Sequence, residues 1–197
     1  LPAIDTLAAP ELRLAGLRIN PSTGERSRTS YWEEVSLFHV STGDVVAIEG
    51  LPEKPRVRRM AWAPDGKHIA LAISEEKGLA LWVVSVPSAR ARRLTAARLV
   101  ELIGSPFVWL PDSTGLIARF SPPRRSAPPA SSAIPTGPIV QESYGQKRPA
   151  RTYQDLLKNT HDEAVFEHYL TCRLTQVPLT GKHRSIGPVG LFIRASI

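Results

Sequence analysis

Met60-Ala-Trp-Ala-Pro-Asp-Gly-Lys-His-Ile-Ala-Leu-Ala-Ile73 reads as strand, tight turn, strand. Pro64 presets φ for the turn, the Asp65 side chain can bond its own backbone, and Gly66 supplies a positive φ. Phe107-Val-Trp-Leu-Pro-Asp-Ser-Thr-Gly-Leu-Ile-Ala-Arg119 repeats this grammar with a longer turn, and 47 residues separate Trp62 from Trp109. Leu17-Arg-Ile-Asn-Pro-Ser-Thr-Gly24 is a weaker copy, 45 residues before Trp62 when Leu17 is set against that tryptophan.

A second hairpin follows each opening hairpin. Val35–Val40, the turn Ser41-Thr-Gly-Asp44 and Val45–Ile48 form the clearest one. Leu79–Val86 returns through Arg92–Thr95, and Cys172–Leu179 returns through His183–Ile186. Short β-branched runs bounded by Gly and Pro turns are strand signals. Pro178 has no N–H to give a ladder, so its strand should lie at an edge or stop there.

Four strands per roughly 45 residues is the blade unit of a β-propeller. The pattern predicts an all-β fold: a partial propeller of three four-stranded blades, at about residues 12–50, 56–96 and 105–187. Leu191–Ile197 would be the first strand of a fourth blade. Closed propellers need roughly 4–8 blades, so residues 1–197 would be one incomplete propeller domain. An antiparallel sandwich with chance Pro-Asp turns is the alternative, and it gives no reason for the fixed spacing.

The third blade is interrupted at about residues 121–169. Seven of the 18 prolines fall in residues 121–151, a stretch whose only aromatic is Tyr144. Such a segment cannot hold a core and should be exposed and partly polyproline II. Thr152–Lys158 reads as a short helical turn. Thr160-His-Asp-Glu163 then fits a capping box that opens a helix to about Tyr169.

Composition sets the outer limits. Of 197 residues, 42% are hydrophobic, 22% charged and 7% aromatic, with a net charge of +7. This is enough apolar material for a core, and full disorder is excluded. The longest apolar stretch, Leu79–Val86 with Ser85 inside it, is far below the ~18–20 residues of a membrane span. Residues 1–12 show no basic segment ahead of an apolar core, so no secretory signal is read there. A first residue other than Met and a last segment that stops in mid-strand predict a chain cut from something longer. The lone Cys172 excludes an internal disulfide framework and a multi-cysteine metal site.

No G-x-S-x-G, G-x-x-x-x-G-K-[ST] or H-E-x-x-H motif occurs. His161 and His168 are seven apart on one helix face, without the i, i+4 pairing of a zinc helix, so neither metal nor cofactor is expected. Trp62, Trp82 and Trp109 are expected to pack between blades. Basic clusters lie at Arg56, Arg58 and Arg59, at Arg90, Arg92 and Arg93, at Arg124 and Arg125, and at Lys147, Arg148 and Arg151. Basic patches attract phosphates, but no nucleic-acid motif accompanies these. Solvated loop charge and an acidic peptide partner are the other readings.

Several of these blocks resemble the prolyl oligopeptidase family of serine peptidases, in particular its glutamyl endopeptidase branch. They are Leu14–Pro21, Ser27-Arg28, Trp62–Gly66 and Phe107–Ser113, with Pro135-Thr-Gly-Pro138, Arg151–Asn159 and His161-Asp-Glu163 the most specific. The resemblance covers nearly the whole chain, but only the front part of such a protein. It implies a parent with an N-terminal propeller and a later α/β-hydrolase domain. That domain would hold the Ser-Asp-His triad and oxyanion hole, none of which is present here. The propeller would gate peptide access, and the fragment alone would not catalyse.

Arg151, Tyr153, Asp155, Asp162 and Glu163 are then the candidates for facing the catalytic domain or an entering peptide. Capping and packing of the insertion helix is their alternative role. The expected partners are peptides, acidic ones being compatible with the charge, and the downstream catalytic domain; neither nucleic acid nor membrane is expected. The parent would be secreted, periplasmic or organellar. A non-enzymatic propeller scaffold is the alternative function.

Overall fold

The computed structural model describes residues 8–96, 98–123, 125–130 and 155–192. Among these residues, twelve strands and one helix form four antiparallel sheets, none closed. The architecture is an all-β, partial propeller-like fold. No helix among the described residues is long and apolar enough to cross a membrane.

The quoted hairpin lies in a four-stranded sheet of β5 (Arg56–Trp62), β6 (His68–Glu75), β7 (Gly78–Ser85) and β8 (Arg90–Arg93), in sequence order. Its faces alternate as a period of two requires. Ala70 and Ala72 of β6 and Leu79, Leu81 and Val83 of β7 point into one cluster. Ile69, Leu71, Ile73 and Val84 point into another. The unbroken apolar run Leu79–Val84 follows from β7 being covered on both faces.

The second large sheet holds β9 (Phe107–Trp109), β10 (Gly115–Phe120), β11 (Thr171–Pro178) and β12 (Arg184–Leu191). Residues 121–170 are inserted between β10 and β11. Phe107, Trp109, Leu116, Ala118, Phe120 and Val177 pack on the alanine-and-leucine face of the first large sheet. The Trp109 indole N–H donates to the Ala61 carbonyl at 3.0 Å. The two Pro-Asp turns also meet, the Asp65 N–H donating to the Ser113 hydroxyl at 3.0 Å.

These turns are of equal span, correcting the expectation that the second is longer. Ala63 N–H donates to His68, and Leu110 N–H to Gly115, closing both hairpins alike. Gly66 has φ +67°, and Ser113 takes the same left-handed place at φ +59°. A serine there is unfavourable by about 1–2 kcal/mol, and the half-buried bond it accepts from the Asp65 N–H offsets part of this.

Residues 12–50 depart most from the sequence pattern. They form two two-stranded sheets, β1 (Leu12–Leu14) with β2 (Leu17–Ile19) and β3 (Ser36–Phe38) with β4 (Val45–Ala47), where the pattern predicts one four-stranded unit. The segments flanking β3 and β4 pair instead with the first large sheet. Trp32 bridges Val57 on β5, and Glu49 bridges Arg90 on β8. Gly50 is required where the chain crosses β8: its φ is +86°, and a Cβ there would sit 2.6 Å from the Ala91 carbonyl oxygen.

This arrangement separates the aligned tryptophans. Trp109 has a complete sheet to pack against and is 7% exposed, whereas Trp62 is 57% exposed. Trp62 is therefore not packed between sheets as the repeat predicts, because no four-stranded neighbour precedes it.

Helix α1 (Thr160–Leu170) begins one residue earlier than the capping box implies. Asn159 is the N-cap, its side chain accepting from the Asp162 N–H at 2.8 Å, while Asp162 accepts from the Lys158 N–H at 2.9 Å. Val165, Tyr169 and Leu170 pack with Leu14, Ile19 and Leu102, which joins the insertion to the β1–β2 ribbon. Leu191 closes β12 opposite Thr171 and does not open a further strand. The register jumps from Arg173–Val189 to Leu174–Ile186, leaving Gly187 and Pro188 out of the ladder. Pro188 has no N–H to pair, and the strand resumes after it. Residues 193–197 lie outside the described residues.

The two tryptophans supply a test. Trp109→Ala should cost about 3–5 kcal/mol in urea denaturation, whereas Trp62→Ala should change stability by only about 0.5–1 kcal/mol.

Candidate functional site

The first strands of the two large sheets, β5 and β9, flank a cleft of about 740 Å³. Arg59, Ala61 and Trp62 line it from β5, and Phe107, Val108 and Trp109 from β9. Two arginines reach it. Arg119 is buried and donates to the carbonyls of Phe192 and Ser105 at 2.7 Å each and to that of Ile103 at 2.5 Å. It is a structural tie. Arg59 is exposed, and among the described residues it has no hydrogen bond or ion pair.

The position of Arg59 depends on its neighbour. Val57 lies opposite Ile73 and Arg59 opposite Ala72, so Arg58 is the extra residue of a β-bulge. The bulge turns the Arg58 side chain inward, where it is 8% exposed between two carboxylates. Its guanidinium lies 3.6 Å from Glu25 and 3.2 Å from Glu101, and it also donates to the Arg26 carbonyl at 3.2 Å. Glu25 accepts a 2.6 Å bond from the Ser74 hydroxyl, but its other oxygen is buried without a hydrogen-bond partner among the described residues. Burial pushes both carboxyls above the ordinary glutamate value. Ser74 and Arg58 oppose this at Glu25, and Arg58 opposes it at Glu101.

The other basic clusters are also largely engaged in ties. Arg56 lies over the Tyr31 ring, 5.5 Å from its centroid. Arg90 pairs with Glu49 and Arg93 with Glu75, Arg92 donates to the Leu179 carbonyl, and Arg125 donates to Tyr169 and Thr171. Arg124, Lys147, Arg148 and Arg151 lie outside the described residues.

Of the residues singled out from sequence, Arg151 and Tyr153 also lie outside the described residues. Asp155 has φ +61° just before the helix. Asp162 caps the chain entering α1. Glu163 is exposed in the first turn, where a carboxylate complements the helix dipole. None of these three described residues lines the β5–β9 cleft. Sequence reasoning missed Arg59 as distinct from its neighbours. The Arg56-Val-Arg-Arg run shows four consecutive residues, and only the bulge separates the enclosed Arg58 side chain from the exposed Arg59.

Cys172 is fully buried, and burial raises its thiol pKa, which suits a core residue rather than a nucleophile. His168 packs edge-on to Tyr169, with ring centroids 5.0 Å apart. Among the described residues, no group of three or more His, Cys, Asp or Glu side chains is placed to hold a metal ion.

Comparison with known proteins gives a relation along nearly the whole chain. A rice protein named probable glutamyl endopeptidase, chloroplastic, is 33% identical over 98% of this chain. The Arabidopsis thaliana protein of the same name is 31% identical over 95% of it. The chain spans only 22% and 21% of the length of these relatives. No family model matches the chain.

The buried carboxylates give a pH prediction. A carboxyl raised in the folded state binds its proton more tightly there than in the unfolded chain. Its contribution to stability is therefore present at acid pH and is lost as pH rises from the ordinary glutamate range through the folded pKa. Glu25→Gln should flatten this part of the profile, measured as the difference in unfolding free energy between wild type and variant across pH 4–8. Arg58→Met, which leaves the two carboxylates without their cation, should cost about 3–5 kcal/mol at neutral pH.

Proposed function

We propose that this chain, related along nearly its whole length to proteins named probable glutamyl endopeptidase, is a propeller segment of a longer serine peptidase. The parent would be of the prolyl oligopeptidase type, and the segment would gate the access of peptides to a hydrolase domain elsewhere in it. The relation carries the reading: identity of 31–33% is spread over 95–98% of the chain, while the relatives are four to five times as long. The chemistry would belong to the remainder of the parent, where a serine attacks the scissile carbonyl and a histidine carries the proton. Both relatives are named chloroplastic, which supports an organellar setting.

The β5–β9 cleft fits such a filter, because an opening bounded by rigid strands admits an extended chain and excludes a folded one. In this reading the insertion, with Arg151, Tyr153, Asp155, Asp162 and Glu163, faces the hydrolase domain or the entering peptide.

Two measurements test it. The 197-residue chain alone should show no peptide cleavage that a serine-directed inhibitor abolishes. In the full-length protein, Arg151→Glu with Asp155→Lys should alter kcat/KM for long peptides by about three- to tenfold while leaving a minimal chromogenic substrate unchanged. Equal kinetics of variant and wild type on both substrates would remove the gating role.

A further inference from the structure

β5 and β9 are terminal strands of their sheets, so each pairs on one side only within its ladder. At the start of β5 the open side is already taken, since Val57 exchanges backbone bonds with Trp32 at 2.9 and 3.0 Å. The bulge at Arg58 follows, and beyond it no described segment pairs with the edge. The Ala63 N–H donates to the His68 carbonyl at 2.8 Å, and this fixes the phase of the β5–β6 ladder. Alternate residues of an antiparallel pair direct both backbone groups at the partner strand. Ala61 therefore faces β6, and the N–H and C=O of Met60 and Trp62 face the open side. Among the described residues these groups have no backbone partner.

We propose that this edge of β5, from Arg59 to Trp62, seats an extended peptide as an added strand, with an acidic side chain of that peptide on the Arg59 guanidinium. Main-chain pairing at an open sheet edge supplies affinity, and neighbouring side chains supply selectivity. The charge of the occupant follows from Arg59, which among the described residues has no hydrogen bond or ion pair and feels the Glu101 carboxylate only from beyond ion-pair distance, whereas Arg119 beside it is held by three carbonyls. Ala61, Trp62 and Phe107 give the apolar wall for the peptide's other side chains. Edge strands left open are normally blunted by bulges or charge. Here the bulge stops short of residues 59–62, and the charge that remains selects an anion. The inference rests on reading the parent as a peptide-handling protein, and it names the place and mode of contact.

The test uses the full chain and eight-residue peptides capped at both ends, so that the only carboxylate is a central Asp or Glu. Two N-methylated versions block alternate amides, one at odd and one at even positions. Binding is followed by tryptophan fluorescence and calorimetry. One methylated series should lose affinity by at least about tenfold while the other binds like the parent peptide, because only alternate amides of an added strand face β5. The acidic peptide should bind about tenfold more tightly than its Gln counterpart, and Arg59→Gln should erase that difference. Equal affinities of the two methylated series, or an acidic preference that survives Arg59→Gln, overturn the proposal. So does sedimentation showing that a second copy of the chain occupies the edge and that peptides do not displace it. The gating role is read from kinetics of the full-length protein, so either can fail without the other.

Discussion

The guanidinium of Arg58, enclosed between the carboxylates of Glu25 and Glu101, is the constraint around which the rest is arranged. Its three members come from the loop after β2, the bulge in β5 and the segment before β9. Apolar clusters fix which faces meet, but a hydrophobic contact is non-directional and tolerates sliding. A charge shared by two buried carboxylates does not, because displacing the cation leaves like charges facing each other in a medium of low dielectric. The ion triad therefore sets how three successive parts of the chain are placed. It also explains the bulge, since a regular strand alternates its side chains and the extra residue re-aims this one.

The same arrangement decides what stays open. The first large sheet is covered on both faces, by the second large sheet on one side and by the β3–β4 region on the other. Its interior strands are finished by this. Its first strand is not, because the preceding ribbons reach β5 only at Val57. The exposure of Trp62 and the open backbone beside it have this one cause. A complete sheet in front of β5 would have hidden both, as the first large sheet hides Trp109.

Much of the fold was legible because it is local. The Pro-Asp turns carry their own stereochemistry: Asp65 accepts from the Lys67 N–H at 2.8 Å and Asp112 from the Thr114 N–H at 3.1 Å, as the residue types predict. The stop of β11 at Pro178 was legible for the same reason. What escaped depends on distant partners. Residues 35–48 show a clean hairpin pattern, but nothing in them says that their flanks pair with β5 and β8. Thr160 and Asn159 are both good caps, and only the geometry of Asp162 and Lys158 chooses between them. At the cleft, the three adjacent arginines of residues 56–59 look alike in sequence. They divide into one over a tyrosine ring, one enclosed ion and one exposed cation with no ion pair among the described residues, because Tyr31, Glu25 and Glu101 come from elsewhere in the chain.

The net charge of +7 acquires a different meaning from this division. Of the 25 cationic residues, 19 are arginine, and the planar fork of arginine matches carbonyls and carboxylates in a way an ammonium does not. Arg119 holds Ile103, Ser105 and Phe192 together, Arg125 holds the end of α1 to the start of β11, and Arg90 and Arg93 pair with glutamates. These side chains fasten segments that lack enough apolar surface to hold themselves, which a chain with 18 prolines and many short strands requires. A cation used in this way contributes to the charge count but offers little to a ligand. At the cleft the informative guanidinium is that of Arg59, and its place on the open side of a bulged strand follows from the demand that Arg58 turn inward.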